Sequence, residues 1–499
     1  MRRTLAAGVV ALALAASVLS ISTLSAVSSA ADDTRPTADQ LRAATTDGAA
    51  GRTLDRAVDA LTGKEPGAST TLALRDLFVA LSSLRTEDSR EAHRALARPN
   101  ATKRKCAINI CIHWKRTGAD APPGMGWVNT TLAVMRTTWK REVSRFGYRR
   151  PLRDGRRGGN GRFDVYLKNL GPSVYGYCAP ERKVPGRWLA SGYCVLDDDF
   201  ARSQFGKNPL RSLKATAAHE FFHAIQFAYD YAEDGWFMEA SATWMEERVF
   251  DEVNDNRQYL RAGQVAVPEI PLDMFNPSRS YQYGNWAFFE YLSQRFGRSI
   301  VRSAWNRAGD FPGAPDQYSI RAVRSSLVAA GRSFPSVFRA YTAGNTIPGT
   351  TYSEGIRWPR ARVRTRHVLT SSDPQASDSF AVRHLASQNI TMLPGSGAGS
   401  GSILRVRVNG PERVTDPAAY VLVHRESGRV LGKPVPLATN GNGTIEFDFS
   451  SSSVRRVTLT LANASTRFNC WQARNFSCEG IPTDETRSYG YTVRLVSPS

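Results

Sequence analysis

Residues 216–226 read TAAHEFFHAIQ, and two histidines dominate this short segment. His219 and His223 are four positions apart, so an α-helix would place them one turn above each other on the same face. That spacing lets both imidazoles reach one Zn²⁺ at about 2.0–2.1 Å. Glu220 lies about 100° round the helix, near the metal but away from the ligand face. The pattern predicts a zinc site in which Glu220 is the general base for a metal-bound water.

The other residues of this segment are mostly apolar, which predicts a buried helix. Buried histidine and glutamate side chains need partners, because an unpaired polar group costs roughly 1–3 kcal/mol. A metal ion is such a partner. The alternative interpretation is a chance match to HExxH, with histidines that are buried for structural reasons.

A third ligand is needed, because catalytic zinc has three protein ligands and one open position. A turn signal at residues 233–235 precedes a second helical stretch, residues 236–250. An antiparallel return would bring Glu239 beside the two histidines. Glu246 lies on nearly the same face, so it is the alternative ligand or a group that orients a ligand. Glu247 points elsewhere and is expected to be a solvated charge.

HExxH followed by a glutamate in a W-x-x-E-x-x-A setting, residues 236–242, resembles the gluzincin metallopeptidases, which include thermolysin-like enzymes and zinc aminopeptidases. The blocks HEFFHAIQF and WFMEASATWMEE are similar to a family of predicted secreted bacterial metalloproteases. The resemblance implies that both histidines and Glu239 bind zinc, that Glu220 is the base, and that the fold is zincin-like. It covers residues 216 to about 250, and a weaker likeness in helix order continues to about residue 300.

The chain departs from these relatives in two places. Thermolysin-like enzymes carry an acidic residue four positions after the glutamate ligand, where this chain has Thr243. A zinc histidine would then be oriented differently, by the hydroxyl of Thr243 or by Glu246. Zinc aminopeptidases carry an exopeptidase motif upstream of HExxH that is missing from this sequence, which favours an endopeptidase over an aminopeptidase.

Two tyrosines are candidates for stabilising the oxyanion that forms when a peptide carbonyl is attacked. In gluzincins such a donor is often a tyrosine or histidine from a later helix. Residues 280–297, SYQYGNWAFFEYLSQRFG, predict an amphipathic helix with Tyr283 near its start. Tyr283 is the first candidate and Tyr281 the second. The alternative for both is a packing role with a hydrogen-bonded hydroxyl.

The N-terminus predicts export. Residues 1–31 contain two arginines, a long apolar run and small residues before Asp32, which is typical of a cleaved secretory signal peptide. No other segment approaches the ~18 apolar residues of a membrane span. We therefore expect a secreted, extracellular protein without a membrane span.

Cysteine usage agrees with an oxidising compartment, because the six cysteines are even in number and fall in close pairs. Six cysteines allow fifteen connectivities, among which local pairing is the simplest. The expected pairs are Cys106/Cys111, Cys178/Cys194 and Cys470/Cys478.

The chain is strongly basic, with 65 Lys and Arg against 45 Asp and Glu, a net charge of +20. The clusters at 149–162 and 355–366 carry no recognised nucleic-acid motif, so no specific nucleic-acid partner is expected. Non-specific adhesion to acidic polymers or anionic cell surfaces is the expected consequence of this charge.

The order of patterns predicts an α+β protein in three parts after the signal peptide. Residues 32–104 predict a helical, propeptide-like segment that inhibits or chaperones the enzyme and is cut near residues 103–105; a stable helical cap is the alternative. Residues 105–360 predict a zincin-like metallopeptidase domain with a mixed sheet and helices. Residues 361–499 show short alternating strands, which predict an antiparallel β-sandwich.

The last strand before the HExxH helix is expected to border the cleft and pair with an extended substrate. It ends in Asp197-Asp198-Asp199, a run that could bind Ca²⁺, although such a run is more often a turn or helix-start signal.

Together these features predict a secreted zinc-dependent endopeptidase acting on a protein or peptide substrate. One alternative is a cell-surface or acidic-polymer binding protein in which the zinc is structural, and another is a zinc aminopeptidase. A structural site would need a closed fourth position.

Overall fold

The computed structural model describes residues 47–64 and 69–496. The described residues all belong to one compact unit. The predicted signal peptide, residues 1–31, lies outside the described residues.

Helices and strands are interspersed up to residue 197, helices follow up to residue 351, and strands dominate the remainder. The helices are α1 (Asp47–Leu61), α2 (Thr70–Ala80), α3 (Thr86–Ala95), α4 (Met125–Trp139), α5 (Arg202–Phe205), α6 (Pro209–Gln226), α7 (Gly235–Val249), α8 (Tyr281–Gly284), α9 (Trp286–Phe296), α10 (Ser299–Ala308), α11 (Ser319–Ala329), α12 (Phe334–Gly344) and α13 (Pro348–Thr351). The strands are β1 (Lys103–Cys106), β2 (Ile110–Trp114), β3 (Phe163–Lys168), β4 (Gly176–Lys183), β5 (Ala190–Asp197), β6 (Thr365–Leu369), β7 (Gln375–Arg383), β8 (Ala386–Pro394), β9 (Ile403–Asn409), β10 (Pro417–Arg425), β11 (Val430–Pro434), β12 (Asn442–Asp448), β13 (Val454–Asn463), β14 (Phe468–Asn469), β15 (Ile481–Pro482) and β16 (Thr486–Val496).

The first sheet is mixed, with strand order β1-β2-β3-β5-β4. Its central pairs, β2 with β3 and β3 with β5, are parallel, and the outer strands β1 and β4 are antiparallel to their neighbours. Strand β5 directly precedes the HExxH helix but lies inside the sheet, so the expectation that it borders the cleft is wrong. The free edge on that side belongs to β4, because an antiparallel strand has been added outside β5.

Helix α6 starts and packs as its sequence predicts. Asn208 accepts a hydrogen bond from the backbone N–H of Arg211 at 3.1 Å, and Pro209 occupies the first helical position, where its missing N–H costs nothing. Phe221 and Phe222 of this helix are fully buried in the main core, together with Val165 of β3. The helix is therefore held rigidly against the first sheet.

Helices α1 to α3 cover the opposite face of this sheet. Leu54 of α1 and Leu74 and Leu77 of α2 are buried against Tyr177 of β4 and Tyr193 of β5. These helices fall in the region predicted to be helical. The predicted boundary at residue 104 lies inside the exposed strand β1, whereas the division of the chain into domains stays a prediction.

The C-terminal strands form two sheets that face each other across one apolar core. Their strand orders are β11-β10-β13-β8-β6 and β12-β9-β16-β7. Ile390 and Val457 of the first sheet share this core with Val406 and Val493 of the second. The predicted antiparallel sandwich is confirmed at this level, with one parallel pair, β6 with β8.

The sandwich is joined to the helical part by buried polar contacts. Asp234, just before α7, accepts hydrogen bonds from the backbone N–H groups of Cys478 and Glu479 at 2.7 and 3.3 Å. Asp273 accepts one from the N–H of Ser477 at 3.0 Å. The loop that contributes these N–H groups is closed by a disulfide.

All three predicted disulfides are present, and they fit an exported protein. They join Cys106 to Cys111, Cys178 to Cys194 and Cys470 to Cys478.

Two local elements differ from the sequence expectations. The apolar segment CAINICIHWK, residues 106–115, predicts one strand from its sequence, but it contains the turn of a hairpin of β1 and β2 that the disulfide between Cys106 and Cys111 closes. The helix expected over residues 280–297 is broken at Asn285 into α8 and α9. Asn285 turns its side chain inward, donating to the carbonyl of Leu272 and accepting from the N–H of Gln264, which accounts for the break.

Across residues 47–64 and 69–496, no helix combines the length and apolar character needed to cross a bilayer.

His384 gives the interface between the two parts a pH dependence. Its ring is fully buried between Asp273, 2.9 Å from Nε2, and Glu485, 2.6 Å from Nδ1. Burial favours the neutral ring, but the two carboxylates outweigh it and raise the pKa of His384 to about 9. The charged ring therefore stabilises the fold fully below pH ~6.5, and this stabilisation is lost as pH rises through about 9.

We expect His384→Gln to lower the free energy of unfolding by on the order of 2–3 kcal/mol at pH 6 and by much less at pH 9.5. Urea unfolding at both pH values measures this. His93, which is exposed on α3, is the matched control for the same substitution. Equal losses at the two pH values would show that the charge of His384 does not stabilise the interface.

Candidate metal site

The three predicted ligands lie together. His219 and His223 project from one face of α6, and α7 returns beside it and places Glu239 opposite them. The Nε2 atom of His219 is 3.1 Å from Oε2 of Glu239 and 3.1 Å from Nε2 of His223. The Nε2 atom of His223 is 3.7 Å from Oε1 of Glu239. His223 and Glu239 are fully buried.

The outer nitrogen of each imidazole has its own acceptor. Nδ1 of His219 lies 2.9 Å from Oε1 of Glu246, and Nδ1 of His223 lies 2.7 Å from Oε1 of Gln226. The Gln226 amide nitrogen donates to the carbonyl of Met238 at 2.9 Å, so its oxygen is the atom that faces His223. Each Nδ1 is therefore the N–H donor, and each Nε2 presents a lone pair to the centre of the site.

This arrangement fits a tetrahedral cation. Two imidazole nitrogens and a carboxylate oxygen face one another across 3.1–3.7 Å, an arrangement that needs a positive charge between them, either a proton on His219 or a bound cation. Ligand atoms about 2.0–2.1 Å from a tetrahedral zinc ion are about 3.3–3.4 Å apart, which matches these separations. The nature of the atoms, two nitrogens and one oxygen, also suits zinc.

The local field attracts positive charge. Burial acts to lower the pKa of His219, but Glu239 and Glu246 outweigh it and raise that pKa well above its ordinary value. Burial acts to raise the pKa of Glu239, but His223 and His219 hold it below its ordinary value, so this carboxylate is ionised.

Glu220 lies beside the ligand cluster and is 92 % buried. Its Oε2 accepts a hydrogen bond of 2.7 Å from the hydroxyl of Thr71 on α2. Glu220 and His219 line a pocket of about 230 Å³, together with residues of α2, β4 and the turn before α9. This is the position that a general base would need, next to the ligands and open to a cavity.

Tyr283 lines the same pocket, and its ring centroid lies 6.1 Å from that of His219. It stacks on Tyr259 at 5.1 Å. Burial, with Glu239 as the second cause, raises the pKa of Tyr283 well above its ordinary value, so the phenol keeps its proton. Tyr259 also lines the pocket but had no sequence signal, and it lies on a short 3₁₀ helix, Asp255–Arg261. Tyr281 is not among the described residues that line this pocket.

The structure distinguishes the glutamates of α7. Glu246 contacts the Nδ1 atom of His219, whereas Glu239 lies against the Nε2 atoms, and burial raises the pKa of Glu246 to about 7. The hydroxyl of Thr243 has no hydrogen-bond partner among the described residues, so Glu246 orients the histidine. Glu247 is 3 % exposed and accepts a hydrogen bond from Asn256, so the expectation of a solvated charge is wrong.

The aspartate run at the end of β5 forms a turn. Asp197 accepts hydrogen bonds from the backbone N–H groups of Phe200 and Leu170 at 2.8 and 3.1 Å and from the amide of Gln204 at 2.9 Å. These donors account for its burial without a cation. Burial and the neighbouring aspartates raise the pKa of Asp198 to about 7. Calcium binding here stays a prediction.

Gln226 is a positioning residue that the sequence reading missed, although it lies three residues after His223 on the same helix. We expect Gln226→Leu to weaken zinc binding about 10–100-fold, because the tautomer and orientation of His223 are no longer fixed. Competition with a chromogenic chelator measures the zinc affinity. Gln388→Leu, in β8 of the sandwich, is the matched control. An unchanged affinity would mean that Gln226 does not orient the ligand.

A model described as a family of unknown function, DUF6055, matches residues 197–318, a segment that contains helices α6 and α7 and Tyr283. The match covers less than half of the chain. No curated protein sequence matches this chain.

Several solved structures resemble parts of the chain only weakly. PliG of Aeromonas hydrophila, a periplasmic inhibitor of g-type lysozyme, is 11% identical over 26% of this chain and 99% of its own, with a TM-score of 0.15. The Yersinia pseudotuberculosis-derived mitogen is 10% identical over 25% and 90%, with a TM-score of 0.15. CorA, a surface-associated copper-binding protein of Methylomicrobium album BG8, is 7% identical over 27% and 100%, with a TM-score of 0.17.

Proposed function

We propose that this protein is an exported zinc endopeptidase. The observation that carries the proposal is the convergence of two imidazole lone pairs and the Glu239 carboxylate, within 3.1–3.7 Å, beside a pocket that contains Glu220. Bound at these three atoms, zinc would polarise the scissile carbonyl and lower the pKa of the attacking water to roughly 7.

The residues of the chain have separate tasks in this proposal. Glu220 takes a proton from the attacking water and passes it to the leaving amine. Tyr283, held protonated by burial, donates a hydrogen bond to the oxyanion. Glu246 and Gln226 keep the imidazole rings in the tautomer that binds metal.

A catalytic role is favoured over a structural zinc site. Glu246, the one carboxylate proposed as a further ligand, is engaged with Nδ1 of His219. At this position the described residues bring together three candidate ligands, His219, His223 and Glu239. Three protein ligands next to a pocket are typical of catalytic zinc, whereas a structural site is closed by four.

The free edge of β4 supports a peptide substrate. An extended chain can add to an exposed strand edge through main-chain hydrogen bonds, and β4 is the outer strand on the side of the pocket. Such pairing recognises the backbone of a peptide and does not require a free N-terminus. It therefore favours internal cleavage over aminopeptidase activity.

The test uses the purified secreted form, loaded with zinc, on an unstructured protein substrate. We expect internal cleavage, its loss on chelation and its return with zinc, while His223→Ala loses both the bound zinc and the activity. Mass spectrometry of the products separates internal cuts from sequential removal of N-terminal residues. Full zinc occupancy at these ligands without cleavage of any unfolded substrate, whether or not the chain has been cut ahead of β1, would contradict the proposal.

A further inference from the structure

The start of α2 lies in the pocket beside the metal site. Thr71 is 2 % exposed, and its hydroxyl donates to Oε2 of Glu220 at 2.7 Å while accepting from the backbone N–H of Cys178 at 2.9 Å. Ser69 and Thr70, the two preceding residues, line the same pocket. One hydroxyl therefore engages both the proposed base and strand β4.

The N–H of Cys178 belongs to the free edge of the first sheet. Cys178 lies opposite Cys194 on β5 with a Cα–Cα distance of 4.0 Å. Antiparallel residues that do not exchange hydrogen bonds have the shorter of the two Cα–Cα spacings, about 4.5 Å. The N–H of Cys178 therefore points away from β5, toward the position that an added peptide strand would take.

Hydrogen bonds and ion pairs of two arginines, Arg75 in α2 and Arg98 after α3, hold residues 70–98 against the rest of the protein. Arg75, one turn after Thr71, is 7 % exposed and donates to the carbonyl of Glu233 at 2.7 Å. Further along, Arg98 forms ion pairs with Asp154, Asp164 and Glu181 at 2.5, 2.5 and 2.7 Å. A charged side chain with this many partners in a half-buried position is costly to release.

We propose that α2 is an intramolecular inhibitor in which Thr71 occupies the place of a substrate peptide. This inference rests on the proposed peptidase function and adds its regulation. Thr71 engages the carboxylate that must accept a proton, and the same hydroxyl occupies the N–H of Cys178 on the edge that would pair with substrate. Residues 100–102, exposed between α3 and β1, are the accessible place for a cut that would release the segment.

The first experiment compares the full chain with Thr71→Val and with Thr71→Val/Arg75→Ala. Each protein is loaded with Co²⁺, and its visible spectrum is titrated with acetohydroxamate, a small chelating probe for the open metal site. Cleavage of an unstructured peptide by the zinc-loaded proteins is measured in parallel. Thr342→Val is the matched control, since its buried hydroxyl bonds only its own helix, α12.

We expect the double variant to bind the probe and cleave the peptide at least about tenfold better than the unchanged chain, and the control to behave like the unchanged chain. If the probe binds better but no protein cleaves, the blocking role of α2 stands and the peptidase proposal fails. If the unchanged chain binds the probe and cleaves as well as the variants, the inhibitor proposal is overturned and the peptidase remains.

A second form of the protein covers the case in which the double variant does not fold. A recognition sequence for a specific protease, inserted after Asn100, allows the folded full-length chain to be cut in solution. Probe binding and cleavage are then compared before and after the cut in 1 M salt, which weakens the ion pairs of Arg98. A rise of about tenfold after the cut supports the inhibitor, and no change after separation of the fragments overturns it.

Discussion

Glu220→Gln is expected to lower kcat for peptide cleavage about 10²–10⁴-fold while leaving the bound zinc unchanged. The amide has nearly the same shape as the carboxylate but cannot accept a proton at neutral pH. Glu220 is not one of the three groups that converge on the metal position, so zinc affinity should not depend on its charge. Both proteins are compared in whichever form gives the highest cleavage rate, with zinc measured by atomic absorption.

The same neutralising change at Glu252 provides the control. Glu252 is exposed and pairs with Lys214 on the surface, so cleavage by Glu252→Gln should equal that of the unchanged chain. Retained activity in the Glu220 variant would show that another group accepts the proton, and a loss of zinc would show that Glu220 helps to hold the metal.

Removal of the disulfide between Cys178 and Cys194 is expected to lower the free energy of unfolding by about 3 kcal/mol, since its closed loop has roughly fifteen residues. Loss of this disulfide is also expected to disturb the candidate metal site, because the Sγ atom of Cys178 lies 2.8 Å from the carbonyl oxygen of Glu220. The bridge ties strand β4 to β5 directly beneath α6. Peptide cleavage should therefore fall together with stability.

The double substitution Cys178→Ala/Cys194→Ala tests this by urea unfolding under non-reducing conditions. Cys106→Ala/Cys111→Ala is the matched control; its loop is shorter, at a sequence separation of 5, and the expected loss is about 2 kcal/mol. Cleavage should be unaffected in the control. An equal effect of both pairs on cleavage would remove any special link between β4 and the metal site.

The candidate ligands could be predicted from the sequence because their geometry is mostly local. His219 and His223 share a face through the helical repeat alone, and a short turn is enough to return Glu239 to them. The group that orients the ring of His219 cannot be predicted in the same way. The choice between Thr243 and Glu246 depends on side-chain direction across two packed helices, which spacing does not give.

Other parts of the site depend on contacts between distant segments. Thr71 meets Glu220 across 149 positions of sequence, and no local pattern marks Thr71. Pro180 and several charged residues weaken the alternation of apolar and polar residues in β4. The sequence alone therefore does not predict this strand and places the sheet edge at β5. The sandwich strands are easier to predict from the sequence, since alternating apolar residues between turn signals indicate which face of each strand is buried.

The hydrogen bonds between Asp234 and the loop of Cys478 have a mechanical consequence. This loop follows β14 and precedes the last strand, β16. Its backbone N–H groups hydrogen-bond the side chain of Asp234, which immediately precedes α7. Glu239 lies little more than one turn into that helix. Tension applied to the C-terminal strands, as when the chain is attached to a cell wall or a polymer, would be transmitted to the helix that carries Glu239. The sandwich would then be mechanically coupled to the candidate metal site.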